Sequence, residues 1–217
     1  MNTVEIIFSP TGGTEKVAHI ISRQWSESAV KIDLSDYNTD FSNCAIGKED
    51  RVLIAMPSFG GRAPAVAIER LKKIAGNGAK CTLVCVYGNR AYEDTLAEME
   101  DAANECGFKV VAAVAAIAQH SIIPKYAANR PDASDEKQLA EFARQIAEKK
   151  DTVTSIPGNR PYKKSRRWRT CAEAVQGLCE MRSLCKKLPC AGDLSRNTYG
   201  RYQEVHFLYA LCEAVSP

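Results

Sequence analysis

The chain is expected to form a doubly wound α/β domain around a five-stranded parallel sheet. Three observations carry that expectation. Over the first 150 residues, five short β-branched or apolar runs are interleaved with amphipathic stretches of helical period. The central runs are apolar at nearly every position, as strands covered on both faces must be. The spacing between runs leaves room for right-handed crossovers that place helices on both sides of the sheet.

TVEIIF (Thr3–Phe8) is the first strand, short and β-branched. EKVAHIISRQW (Glu15–Trp25) sets Val17, Ile20, Ile21 and Trp25 near helical spacing. AVKIDL (Ala29–Leu34) alternates, which suits an edge strand. RVLIAM (Arg51–Met56) and KCTLVCVY (Lys80–Tyr87) suit strands buried on two sides. AVAIERLKKIA (Ala65–Ala75) and EDTLAEMEDAANECG (Glu93–Gly107) are helices, the second with Gly107 at its C-terminal cap position. KVVAAVAAIA (Lys109–Ala118) is the last strand. SDEKQLAEFARQIAEKK (Ser134–Lys150) opens on a Ser–Asp–Glu cap signal and closes the domain as a helix.

The 217 residues are 45% hydrophobic and 25% charged, ordinary for a globular protein. No apolar run reaches ~18 residues, so neither a membrane span nor a membrane partner is expected. MNTVEIIF has no basic leader region and reads as a strand, which makes the cytoplasm the default compartment. Charge is unevenly spread. Residues 1–150 carry 18 Lys and Arg against 20 Asp and Glu, while residues 151–217 carry 11 against 6. Composition changes around IPGNRPYKKSRRWR (Ile156–Arg169). The chain therefore divides into a domain over 1–150, a basic Pro/Gly linker over 151–169 and a Cys-containing tail over 170–217. The linker reads as solvated. A nucleic-acid surface would want basic residues on a folded face with interleaved aromatics, and residues 1–150 supply none, so nucleic acid is not an expected partner. Cys81 and Cys85 on a buried strand, and Cys106 near a helix end, read as reduced structural thiols.

Folds of this class bind ligands at the carboxyl ends of their strands, near a topological switch point. Three loops lie there. The first, SPTGGT (Ser9–Thr14), has no Lys, so it is not a Walker A loop, and no GxGxxG, so it is not a dinucleotide fingerprint. Ser9, Thr11 and Thr14 offer hydroxyls. Gly12 and Gly13 let backbone N–H groups point inward at a helix N-terminus. Together they form a neutral cradle for one phosphate monoester; the alternative is a turn and cap with no ligand. The second loop, PSFGGRAP (Pro57–Pro64), brings Ser58, Phe59, Gly60 and Gly61. Its glycines allow close approach to a flat ligand, Phe59 could stack on it or pack on the domain surface, and Arg62 could meet an anion or be solvated. The third, YGNRAYED (Tyr87–Asp94), sets Tyr87 and Tyr92 around Gly88, Asn89 and Arg90. Tyr92 could lie against a ring, with backbone N–H groups of Gly88–Arg90 meeting carbonyls on its edge; alternatively Tyr92 only begins the next helix.

A phosphate cradle beside two aromatic, Gly-containing loops describes a site for flavin mononucleotide (FMN). The pattern S/T-x-T-G-x-T, present as SPTGGT, resembles the phosphate loop of the flavodoxin-like family. PSFGGRAP, VYGNRAYEDTL, IAQHSI and NRPDASD resemble one branch of it, in which a flavodoxin-like domain is fused to a small ferredoxin domain holding two 4Fe-4S clusters. The resemblance covers about residues 1–164. It implies a flavodoxin-like fold, non-covalent FMN, electron transfer and redox partner proteins. No general acid or base is required: no catalytic residue is assigned, and His19 and His120 read as helix-surface and loop residues.

The family's ferredoxin half carries C-x2-C-x2-C-x3-C-P twice. This chain shows neither copy, and Cys171, Cys179, Cys185, Cys190 and Cys212 fit no ligand pattern, so no metal-binding residue is assigned. Leu178, Met181, Leu184 and Leu188 before Pro189 nevertheless have the x2, x2, x3, Pro spacing. Val205, Leu208, Leu211 and Val215 repeat it. Each of these residues can end its codon in TG, and each following residue can begin with T or C. Read one nucleotide later, every such pair becomes a cysteine codon. The tail therefore reads as an out-of-frame translation of a ferredoxin domain, the frame changing between about Lys163 and Trp168. The alternative is a natural helical tail in which the Leu/Met/Val series is a core stripe. On either reading the cluster ligands are absent from the chain.

An FMN-dependent electron carrier is thus the leading function. A flavin-dependent NAD(P)H or quinone reductase on the same fold, and a flavodoxin fold without flavin acting as a binding module, are the alternatives.

Overall fold

The computed structural model describes residues 2–149, 151–153 and 155–164. The chain divides into two units, Met1–Lys163 and Lys164–Pro217, and the sheet with its helices belongs to the first. The proposed frame change and all the tail cysteines lie outside the described residues.

Five strands form one parallel sheet: β1 (Thr3–Ile7), β2 (Ala29–Asp33), β3 (Arg51–Pro57), β4 (Lys80–Tyr87) and β5 (Lys109–Ile117). Their spatial order is β2-β1-β3-β4-β5. That order, with helices between strands, is the flavodoxin-like doubly wound arrangement, and its switch point lies between β1 and β3. As its alternating sequence indicated, β2 is an edge strand.

The helices are α1 (Gly13–Ser22), α2 (Ala65–Leu71), α3 (Thr95–Glu105) and α4 (Ala133–Glu148). A single 3-10 turn, Phe41–Asn43, bridges β2 and β3. On one face of the sheet Val17, Ala18 and Ile21 of α1 and Leu139, Ala143 and Ile146 of α4 pack on Ile7, Leu53, Ala55, Val84 and Val86. On the other, α2 and α3 contribute Ala67, Ile68, Leu71, Leu96 and Met99 to a larger cluster with Ile6, Phe8, Ile54, Met56, Leu83 and Cys85. Neighbouring positions along each strand thus feed opposite cores, which is why β3 and β4 carry no polar face. A register irregularity sets Cys81 against Val110 and Thr82 against Ala112. The extra residue, Val111, sends Val110 to one core and Ala112 to the other.

A charged side chain enters the sheet interior at Glu5, 1% exposed, which points to the α1 side of β1. It accepts a hydrogen bond from the Ser22 hydroxyl and meets His19 Nδ1 at 2.9 Å. His19 is therefore half-exposed on its helix yet tied to a buried carboxylate.

The termini of the elements differ from the sequence expectations in physically informative ways. Helix α1 begins two residues earlier than expected, at Gly13, because Gly12 takes a left-handed conformation (φ 82°) that turns the chain into the helix. Helix α2 stops at Leu71; Lys73 and Ile74 continue as tighter turns bonded to Arg70 and Leu71. Helix α3 starts at Thr95 because Glu93 has φ 43° and cannot be helical. It ends as expected on Gly107 (φ 82°), where Phe108 N–H reaches Ala103 O and Gly107 N–H reaches Asn104 O, a Schellman motif. The cap of α4 is Asp132, ahead of the expected Ser134: its carboxylate accepts from Ser134 and Asp135 N–H, and Asp135 accepts in turn from Asp132 N–H.

The largest difference comes after α4. The domain was expected to end at 150 and give way to a solvated linker. The compact unit instead runs on to Lys163. Val153 donates its N–H to Val110 O at 3.0 Å, and Ile156 is buried in the α2/α3 core. Residues 155–163 then lie along α3 as a strap, tied to it by Arg160 and Tyr162 through Asp101.

Candidate functional site at the carboxyl ends of β1, β3 and β4

Parallel strands bring the ends of β1, β3 and β4 side by side, and with them the three loops. In the first loop Ser9 is fixed from both sides: its N–H donates to Ser35 Oγ at 3.0 Å, and its Oγ accepts from Glu15 N–H at 3.0 Å. Gly12 N–H closes the turn onto Ser9 O. The N–H groups of Thr11, Gly13 and Thr14 have no acceptor among the described residues. Thr14 is 4% exposed as a residue; its hydroxyl bonds no described residue and, since none of the described residues has a buried side-chain oxygen or nitrogen without a partner, it opens to solvent at the loop. First-turn N–H groups of a helix are unpaired by construction, and their partial positive charge suits an anion. Lys16, the nearest cation in sequence, is directed elsewhere, to Pro131 O at 3.0 Å. Among the described residues no cationic side chain bonds the Ser9–Thr14 loop.

The second loop is a tight reversal. Phe59 and Arg62 exchange backbone hydrogen bonds of 2.9 and 3.3 Å around Gly60 (φ 62°) and Gly61 (φ 86°), a type I′ geometry that favours glycine at both central positions. Phe59 is half-buried and packs on the α2/α3 core. Ser58 N–H is taken by Val86 O, while its hydroxyl accepts from Thr95 Oγ1 at 2.8 Å. Arg62 neither meets an open anion site nor floats in solvent. It forms a two-pronged pair with Glu98 (2.8 Å for both bonds), donates to Lys163 O at 2.6 Å and stacks over the Tyr162 ring.

The third loop holds Tyr87 and Tyr92 edge to face, ring centres 5.4 Å apart. The N–H groups of Gly88, Asn89 and Arg90 have no acceptor among the described residues, and Asn89 takes φ 63°. The Arg90 side chain pairs with Glu93. Tyr92 precedes α3 without belonging to it, so it is not the first residue of that helix. The second and third loops are joined: Asp94 N–H donates to Gly61 O at 3.0 Å, and Ser58 Oγ lies 3.5 Å from Tyr92 O.

A fourth segment, Ala118–Asp132, completes the rim, and the sequence alone assigned no site residue there. Ala118 N–H bonds Tyr87 O, and the His120 ring packs where a Gly88 side chain would stand, Cδ2 2.6 Å from an added Cβ. His120 Nδ1 accepts from Ile122 and Ile123 N–H at 3.1 Å each, so this ring shapes its loop. The signal available was Gly88, a glycine without a positive φ whose missing side chain a neighbour must occupy.

The donor set fits a phosphate monoester at Ser9–Thr14 and a flat, carbonyl-bearing ring between the second and third loops. It does not fit iron: among the described residues no group of three or more His, Cys, Asp or Glu side chains could hold a metal. Burial holds the described thiols in their protonated form, pushing Cys85 up to about 12 and Cys106 to about 11.

No family model and no curated protein matches the chain. Solved structures are similar to it. The two-electron reduced flavodoxin of Megasphaera elsdenii is 18% identical, with 66% of this chain and 98% of that one covered and a TM-score of 0.47. The flavodoxin of Streptococcus pneumoniae TIGR4 is 18% identical over 67% and 97% of the two chains, TM-score 0.46. Rubredoxin oxygen:oxidoreductase of Desulfovibrio gigas is 16% identical over 68% of this chain and 35% of that one, TM-score 0.47. The fold assignment stands on the strand order, and the chemistry of the site on this chain's own residues. Among the described residues no helix is long and apolar enough to cross a membrane.

Proposed function

We propose that the domain binds FMN non-covalently and works as an electron-transfer flavoprotein. One observation carries the reading: N–H groups at Thr11, Gly13 and Thr14 and a solvent-facing Thr14 hydroxyl, none with a partner among the described residues, stand at the switch point beside two aromatic loops. A phosphate monoester carries about −1.5 to −2 charge at neutral pH, and amide dipoles at a helix N-terminus stabilise it without a counter-ion. Ser9, Thr11, Gly12, Gly13 and Thr14 would hold that group. Ser58, Phe59, Gly60, Gly61, Tyr87, Gly88, Asn89, Arg90 and Tyr92 would border the ring, where unpaired N–H groups can meet its carbonyls. The bound flavin supplies the redox chemistry, and the chain supplies binding, orientation and shielding from water.

The resemblance to the fused flavodoxin/two-cluster ferredoxin branch refines the proposal: partners are redox proteins in the cytoplasm, and intact relatives carry 4Fe-4S clusters. The residues of this chain do not fit those clusters, because neither C-x2-C-x2-C-x3-C-P motif is present. Sequencing the nucleotides that encode residues 163–217 tests the frame change: the +1 frame must encode both cysteine motifs. Titration of apoprotein with FMN, followed by fluorescence quenching, tests the flavin site. Micromolar or tighter binding is expected, and unchanged emission at micromolar ligand refutes the proposal.

A further inference from the structure

Residues 156–163 lie beyond α4, yet their bonds converge on the loops assigned to the flavin ring. Gly158 crosses α3 so closely that an added Cβ would stand 2.5 Å from Ala97 Cβ. Arg160 donates to Asp101 at 2.8 to 3.0 Å, to Glu100 at 2.7 Å and to Ala97 O at 3.2 Å. The Tyr162 hydroxyl also donates to Asp101. At the centre is Asp94, 1% exposed. Its Oδ1 accepts from Asn159 N–H (2.8 Å) and Asn159 Nδ2 (2.9 Å), its Oδ2 from Lys163 N–H (2.6 Å). Those bonds, the two backbone donors first, hold the carboxyl below its usual range. The backbone of Asp94 donates to Gly61 O. One residue therefore ties strap, second loop and third loop together. Lys163 Nζ adds a 2.6 Å pair to Glu93, whose φ of 43° is costly for a residue with a Cβ and needs surrounding contacts to persist. Glu93 in turn lies against Gly61. Arg62 closes the circuit on Lys163 O.

We infer that the 156–163 strap, acting through Asp94, is a positioning element for the ring side of the flavin site. Asp94 is not among the residues assigned to the ring; it holds Gly61 and the Tyr92–Glu93 bend where the ring needs them. Among the described residues the phosphate loop has no bond to the strap. Cutting the strap's hold should therefore weaken recognition of the ring and leave recognition of the phosphate alone.

This inference rests on the FMN reading, and riboflavin, which shares the ring and lacks the phosphate, separates the two. In full-length Asp94→Asn and Asn159→Ala, with thermal unfolding followed by circular dichroism, affinities for FMN and riboflavin should fall by the same factor. That factor is about tenfold in Asp94→Asn, where one accepting oxygen becomes an NH2 that cannot accept and the remaining bond or bonds lose their charge. The visible spectrum of bound FMN should shift with it. Ser9→Ala should weaken FMN and spare riboflavin. Wild-type affinities and spectrum in both strap variants, or a loss confined to FMN, overturn the inference. Should Asp94→Asn fail to fold, Asn159→Ala, which removes one side-chain bond, decides by the same criteria. Wild-type protein that binds neither ligand refutes the FMN proposal itself.

Discussion

In the proposed phosphate cradle the backbone supplies most of the donors, and Thr14 adds one from a side chain. Its hydroxyl bonds no described residue and is open to solvent, so it is free to donate to a bound anion. Thr14→Val keeps the shape and removes that donor. FMN affinity should fall about tenfold, the worth of a hydrogen bond to a charged acceptor, with thermal stability of the apoprotein unchanged; isothermal titration and a melt measure the two. Gly61 makes the opposite case, a residue defined by what cannot be there. A Cβ would sit 2.8 Å from Glu93 Cβ, on a backbone with φ 86°. Gly61→Ala should cost about 2 kcal/mol in urea unfolding, from left-handed strain and the clash together. Both residues stood out in the sequence as part of Gly-containing loops between apolar runs. The pairings of Arg62 and Glu5 did not. Their partners, Glu98 and Ser22, lie 36 and 17 positions away, and local pattern carries no information about such pairs.

Strands and helices were legible because each obeys one period. β3 and β4 had to be two-sided, and Gly107 had to stop α3. The missed boundaries belong to caps. In α4 the Ser–Asp–Glu signal pointed to Ser134, but Asp132 accepts both first-turn N–H groups. Asp132→Ala should therefore destabilise the protein by about 1 kcal/mol, read from denaturant midpoints. The strap was illegible for a different reason: Arg160 and Tyr162 resemble a solvated basic run until α3 supplies Asp101, and Asn159 until Asp94 is in place. Burial, with that Asp101 carboxylate, holds the Tyr162 hydroxyl up at about 12. Glu93, Asp94 and Asp101 all titrate below their ordinary range, lowered respectively by Lys163, by the Lys163 and Asn159 N–H donors, and by Arg160. Depressed folded-state values contribute stability above the unfolded pKa, and that stability is lost as pH falls through the folded one. The strap should loosen below about pH 4. Amide exchange of residues 156–163, corrected for intrinsic rate, should rise there before exchange in β3. Equal protection of both at pH 3 would contradict the assignment.

At the scale of the whole unit Met1–Lys163, the sheet is the common wall of two cores, and β4 is packed from both sides. Cys81 and Cys85 lie on its α2/α3 side, both fully buried. Ligand-induced or local loop motion should not expose them. Peptide mapping after iodoacetamide treatment should show these two unlabelled in native protein and labelled together across the urea transition; labelling well before it would mean that the α2/α3 layer opens independently. Strand order was recoverable only as a class from sequence, because nothing in β1, β3 or β4 alone says which lies beside which.

Glu5 bears on that ambiguity. Several of these strands are short, oily and nearly interchangeable, so a nascent chain could thread one in place of another or slide it by a single position. A slide would carry the carboxylate across to the opposite layer, where Ser22 and His19 cannot follow it. Misthreaded states are thereby penalised with a stranded anion, and the correct arrangement acquires an address that hydrocarbon alone could not write.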